Sequence, residues 1–76
     1  MILSDIKVYP NPTNGELKIE WIDSKIEMIE MIDVMGKRLF TNRIRNTNEI
    51  VINISYLSAG IYYLIIDGKM MKVVKI

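Results

Sequence analysis

Apolar and polar side chains alternate along much of this chain. In residues 16–22, Leu17, Ile19 and Trp21 fall on one side and Glu16, Lys18 and Glu20 on the other, which is the period of a strand with one buried face. Residues 5–9 repeat the pattern, with Ile6 and Val8 opposed to Lys7 and Tyr9. Residues 49–55 repeat it again, placing Ile50, Ile52 and Ile54 inward and Val51, Asn53 and Ser55 outward. The run Ile61-Tyr62-Tyr63-Leu64-Ile65-Ile66 is apolar on both faces. It is too short to span a membrane and has the usual length of a strand, so it predicts a central strand covered on both sides. Asp67-Gly68 is a two-residue hairpin signal, and residues 69–76 form the returning strand.

The segments between these runs are punctuated by turn residues. Pro10-Asn11-Pro12-Thr13-Asn14-Gly15 holds two prolines, which cannot donate to a ladder, and an Asn-Gly pair, which tolerates positive φ; together they predict a tight, rigid connection. Ser58-Ala59-Gly60 predicts a sharp turn into the apolar run, with Gly60 at positive φ. Residues 37–41 read as a strand that fades into a polar loop with Asn46-Thr47-Asn48 at its tip.

Residues 24–36 carry contradictory signals. Met28, Met31, Ile32 and Met35 have helical spacing, Ser24 and Glu27 match a capping box, and Gly36 suits a C-cap, so local signals favour a helix over residues 25–35. Ile26 with Met28 and Ile29 with Met31 also alternate as a strand if a slip or bulge separates them. Asp33-Val34-Met35-Gly36-Lys37 then becomes a hairpin turn. With a strand there, seven candidate strands punctuated by turns predict an all-β fold, a small antiparallel β-sandwich.

Composition bounds the function. Seventy-six residues make a single domain, and half of them are hydrophobic, fifteen of these Ile, which supplies a dense core for so short a chain. Ten basic and nine acidic residues, without long runs of one sign, advertise no nucleic-acid surface. No transmembrane segment or leader is legible, and the expectation is a fragment of a larger secreted protein. With neither His nor Cys, the common nucleophile–base pairs, thiolate metal sites and redox pairs are excluded, and no cofactor is implied. Asp23, Asp33 and Asp67 offer oxygen ligands, but at no calcium-loop spacing, and Asp beside a turn Gly reads as a backbone partner. Met28, Met31, Met70 and Met71 read as core fillers, and Trp21 as a core ring. Lys69, Lys72 and Lys75 recur along the last strand as edge protection or as a recognition row.

Taken in order, four motifs resemble the C-terminal sorting domain of proteins exported by the type IX secretion system of Gram-negative bacteria. Val8 to Gly15 resembles the family's opening motif, with Pro10, Asn11, Pro12 and Gly15. Asp33, Gly36 and Lys37 resemble the middle motif, Leu57, Gly60 and Tyr62 the third, and Lys72 and Lys75 the basic ending. The resemblance implies a seven-stranded Ig-like or fibronectin-like antiparallel sandwich and decides residues 25–35 in favour of strand. It also implies a non-enzymatic secretion signal that follows a cargo domain and travels through the periplasm to the cell surface or medium. Its partners are the secretion machinery and a sortase that removes the domain. Lys72 and Lys75 are the expected contacts, with the Pro-Asn-Pro loop and the free edge of the last strand as further recognised features. A structural or carbohydrate-binding accessory module of a secreted enzyme is the alternative and would share the fold.

Overall fold

A strand pattern of this kind requires two sheets, because each strand has one apolar face to bury. The computed structural model describes residues 2–3, 5–22 and 25–76. It contains β1 (Ile2–Leu3), β2 (Ile6–Tyr9), β3 (Glu16–Trp21), β4 (Met28–Ile32), β5 (Arg38–Arg43), β6 (Glu49–Asn53), β7 (Gly60–Ile66) and β8 (Lys69–Lys75). Apart from the two-residue β1, these are the seven strands expected from the sequence. One sheet has the order β1-β2-β3-β6 and the other β5-β4-β7-β8, with every strand pair antiparallel. Among the described residues there is no helix, and so none long and apolar enough to cross a membrane.

The alternating positions meet between the sheets. Ile6, Val8, Leu17, Ile19, Trp21 and Ile52 from the first sheet, with Ile54 just beyond it, are buried together with Ile29, Met31, Leu64, Ile66, Met71 and Val73 from the second. At roughly 25 cal/mol per Å² of apolar surface removed from water, this layer is the main stabilising term of the fold. Its opposite faces differ. The outer face of the first sheet is polar, with Lys18 lying 3.4 Å from Glu49 and 3.8 Å from Glu20.

The outer face of the second sheet departs from expectation. β7 is an interior strand, but only Tyr62, Leu64 and Ile66 turn inward, while Ile61, Tyr63 and Ile65 lie on a partly exposed outer face that no further layer covers. The same parity corrects two of the four methionines: Met31 and Met71 fill the core, whereas Met28 is half-buried and Met70 is 57 % exposed. A run apolar on both sides thus does not by itself specify two covering layers.

Of the contested segment, Met28–Ile32 form β4, residues 25–27 lead into it without regular pairing and residues 33–37 turn; the shift of inward register ahead of the strand has a cause. Ile26 and Ile29 are both buried, so the inward register jumps between them. At that jump the Asp67 carboxylate accepts from the backbone N–H of Glu27 at 3.0 Å and of Met28 at 2.9 Å. The β7–β8 turn therefore stabilises the start of β4. A second irregularity, between Met31 and Ile32, shifts the β4–β5 register. A helix over the same residues would bury its Met face but leave β7 and β5 without the strand that joins them.

Two glycines are required for different reasons. Gly60 has φ +155°, a region that L side chains rarely adopt, although a Cβ there would meet no atom within 4 Å. Gly15, expected at positive φ, is not among the positive-φ residues; instead its carbonyl accepts from Ile54 N–H, and a Cβ would stand 2.9 Å from Ser55 Cβ. Close approach rather than dihedral freedom selects that glycine.

Gly60→Val is expected to destabilise by about 1–3 kcal/mol through backbone strain alone. Gly15→Ala is expected to destabilise as well, and part of that loss should return in the Gly15→Ala/Ser55→Gly double variant, because the second change removes the nearer clashing atom. Urea unfolding of the four proteins measures both effects; a wild-type midpoint for either glycine variant contradicts the corresponding origin.

Candidate functional site

The topology places the four motifs at one end of the sandwich. β2, β4, β6 and β8 all run toward that end, and β3, β5 and β7 start from it. Residues 10–15, 33–37 and 54–59 are therefore neighbouring connections, with Ile76 beside them. The opposite end carries residues 22–27, 44–48 and the Asp67-Gly68 turn.

At the motif end, residues 10–15 lie against the outer edge of β8. Thr13 N–H donates to Val74 C=O at 2.9 Å, and Ile76 N–H donates to Thr13 C=O at 2.9 Å, which makes a short parallel bridge between Thr13 and Lys75. Asn11 completes the contact with its side chain: its carboxamide nitrogen donates to Lys72 C=O at 2.8 Å, and its carboxamide oxygen accepts from Val74 N–H at 2.9 Å. The Tyr9-Pro10 and Asn11-Pro12 peptide bonds are both cis. Thr13 is fully buried, and its hydroxyl donates to Glu16 C=O at 2.6 Å and accepts from Gly15 N–H at 3.1 Å. A buried hydroxyl with a partner in each role costs little and locks the loop.

These bonds revise the expectation for the last strand. Its outer edge is not free between Lys72 and Ile76, because four backbone groups there already have partners in Asn11 and Thr13. The lysine row is likewise not a row. Side chains three apart on a strand point to opposite faces. Lys72 is exposed on the outer face, while Lys75 is turned toward the core, 8 % exposed, with its Nζ donating to Ile76 C=O at 2.9 Å.

The middle and third motifs are turn devices. Asp33 Oδ1 accepts from Met35 N–H and Lys37 N–H, each at 2.9 Å, and Gly36 N–H donates to Asp33 C=O at 3.0 Å. The carboxylate that sequence offered as an oxygen ligand is thus occupied by backbone, as is that of Asp67; Asp23 lies outside the described residues. The side chain of Lys37 is exposed and, among the described residues, has no acidic partner. Leu57 N–H donates to Ile54 C=O and its side chain packs against the core, and the Tyr62 hydroxyl donates to Ser58 C=O at 2.7 Å. Gly60 pairs with Lys75, so Thr13, Lys75 and Gly60 form one row through three of the motifs.

The chemistry of this end is that of a surface. Pro10, Pro12 and Lys37 are exposed there, as are Val34, Met35, Tyr56 and Ile76, Met35 at 87 %. The contribution of Thr13 was not singled out by sequence reasoning, and Asp67 was read as a backbone partner in its own turn but not as the partner of Glu27 and Met28. Their signals, a small hydroxyl inside a Pro-Asn-Pro turn and an Asp before Gly, specify turns locally but do not name a distant partner.

The chain is thus a small antiparallel β-sandwich whose four sequence motifs gather at one end, without a catalytic constellation among the described residues there. A family model, the secretion system C-terminal sorting domain, matches residues 7–76, and the chain belongs to that family. No curated protein matches it.

Asn11→Asp replaces the donor facing Lys72 C=O with an acceptor and is expected to cost about 1–3 kcal/mol. Native-state hydrogen exchange should show Val74 and Ile76 losing protection before the amides of β3 and β4. Uniform loss across the sandwich would contradict a local edge closure.

Proposed function

We propose that this domain is the sorting signal of a cargo protein exported by the type IX secretion system, and that the machinery reads the motif end of the sandwich. The carrying observation is that motifs dispersed from Pro10 to Lys75 in sequence converge on one end, in a loop and edge already ordered by Asn11 and Thr13. A surface ordered before binding loses little conformational entropy on docking. Membership of the sorting-domain family supports the same reading.

The domain acts as substrate and not as catalyst. A sortase removes it as the cargo reaches the surface or the medium, and the cargo domain precedes it in the chain. Lys72 and Lys37, both exposed near the motif end, supply charge for recognition. Lys75 contributes by holding the last strand, and Gly15, Gly36 and Gly60 by shaping the turns.

The test is a passenger with a signal peptide, fused ahead of this domain in a bacterium that has the type IX machinery. The passenger is expected at the cell surface or in the medium. Lys72→Gln should change stability by less than about 0.5 kcal/mol while lowering export, whereas Lys75→Gln should lower both. Normal export by a folded Lys72→Gln protein removes that lysine from the recognised surface. A passenger left in the periplasm by the intact domain overturns the sorting reading and favours an accessory module.

A further inference from the structure

Residues 10–15 close one side of the sandwich, but the other side is open. There β5 ends one sheet and β6 ends the other. Ile44 N–H donates to Glu27 C=O, directly opposite it in the β4–β5 register, so Asn42 and Phe40 face β4 and the N–H and C=O groups of Thr41 and Arg43 turn outward. The same alternation on β6 turns the backbone of Val51 and Asn53 outward. Between the two edges runs a groove of about 260 Å³, lined by Phe40, Asn42, Val51, Ile52, Asn53 and Tyr56. Asn42 is half-buried there, and its carboxamide has no hydrogen-bond partner among the described residues.

Charge distinguishes β5 from the other edge. Lys37, Arg38, Arg43 and Arg45 all lie on or beside it, and no acidic residue occurs between Asp33 and Glu49. All four are exposed, and among the described residues only Arg38 has an acidic partner, Glu30 at 3.1 Å. A balanced chain thus concentrates four of its ten cations along one unpaired strand.

We infer that the β5 edge is a docking site for an extended acidic segment of another protein, which adds to the sheet as a further strand. The outward groups of Thr41 and Arg43 supply main-chain hydrogen bonds, and a strand's period of two does the rest. Alternate side chains of the incoming strand fall on the outer face beside Arg43 and Arg45, where carboxylates are favoured. The intervening ones turn toward the groove of mixed lining, where a short side chain such as valine meets Phe40 and Ile52 and the Asn42 carboxamide can bond backbone or side chain. The same positive row disfavours a second copy of this strand, because like charges would face each other across the new pair. This edge adjoins the motif end and shares Lys37 and Tyr56 with it, but the docking of Thr41 and Arg43 stands whether or not that end is the recognised sorting surface.

The probe is a short peptide alternating valine and glutamate, titrated into the ¹⁵N-labelled chain; its control has lysine in place of glutamate. The acidic peptide should shift the amides of Thr41 and Arg43 and protect them from exchange, bind at least about tenfold more tightly than the control, and weaken as salt is raised. Thr41→Pro removes an outward N–H while sparing the bonds to β4, and should abolish that protection. Should that variant fail to fold, Arg43→Glu/Arg45→Glu decides, because it should reverse the preference toward the lysine peptide. Equal binding of both peptides, shifts confined to the outer face of β7 and β8, or dextran sulfate reproducing the shifts without protecting Thr41 and Arg43 would each overturn the inference. So would self-association of the chain through β5 that the acidic peptide does not displace.

Discussion

Closure of the β8 edge by residues 10–15 is the contact on which the arrangement of this molecule depends. Two four-stranded sheets packed face to face leave their rims open, and a small core cannot hold them together by area alone. Here Asn11 and Thr13 tie the connection between β2 and β3, strands of one sheet, to the last strand of the other with four hydrogen bonds, all between 2.8 and 2.9 Å. They also satisfy backbone groups that would otherwise form an aggregation-prone edge. The opposite end is tied in a comparable way by Asp67, which joins the β7–β8 turn to the start of β4.

These ties explain why the motif residues are mainly architectural and still order the surface around them. Asn11, Thr13, Asp33 and Tyr62 spend their polar atoms on backbone partners. What remains for a receptor is what those bonds hold in place: exposed prolines, the Val34-Met35 tip, Tyr56, Lys37 and Lys72. The division leaves these exposed side chains held in a folded shape rather than carried on a flexible peptide.

The two rims of the sandwich have opposite characters. At the β8 rim the backbone is satisfied from Lys72 onward; at the β5 rim it is open, flanked by arginines and backed by a groove of mixed lining.

The sequence by itself determined the strands whose alternation is strict, the hairpin at Asp67-Gly68 and the four motifs that carry the family, because a period of two and a turn dipeptide are local properties. It also determined the absence of thiol and imidazole chemistry. Residues 25–35 were legible only through family resemblance, since their capping and Met spacing favour a helix, and it is the Asp67 carboxylate forty residues away that provides for the slip in a strand. That Lys72 and Lys75 face opposite ways follows from the period of two, but tertiary structure alone decided that Gly15 serves close approach to Ser55 and that the outer face of β7 stays uncovered. Each of these depends on which strand lies beside which, and pairing between distant segments is set by the packing of the whole core rather than by the composition of either partner.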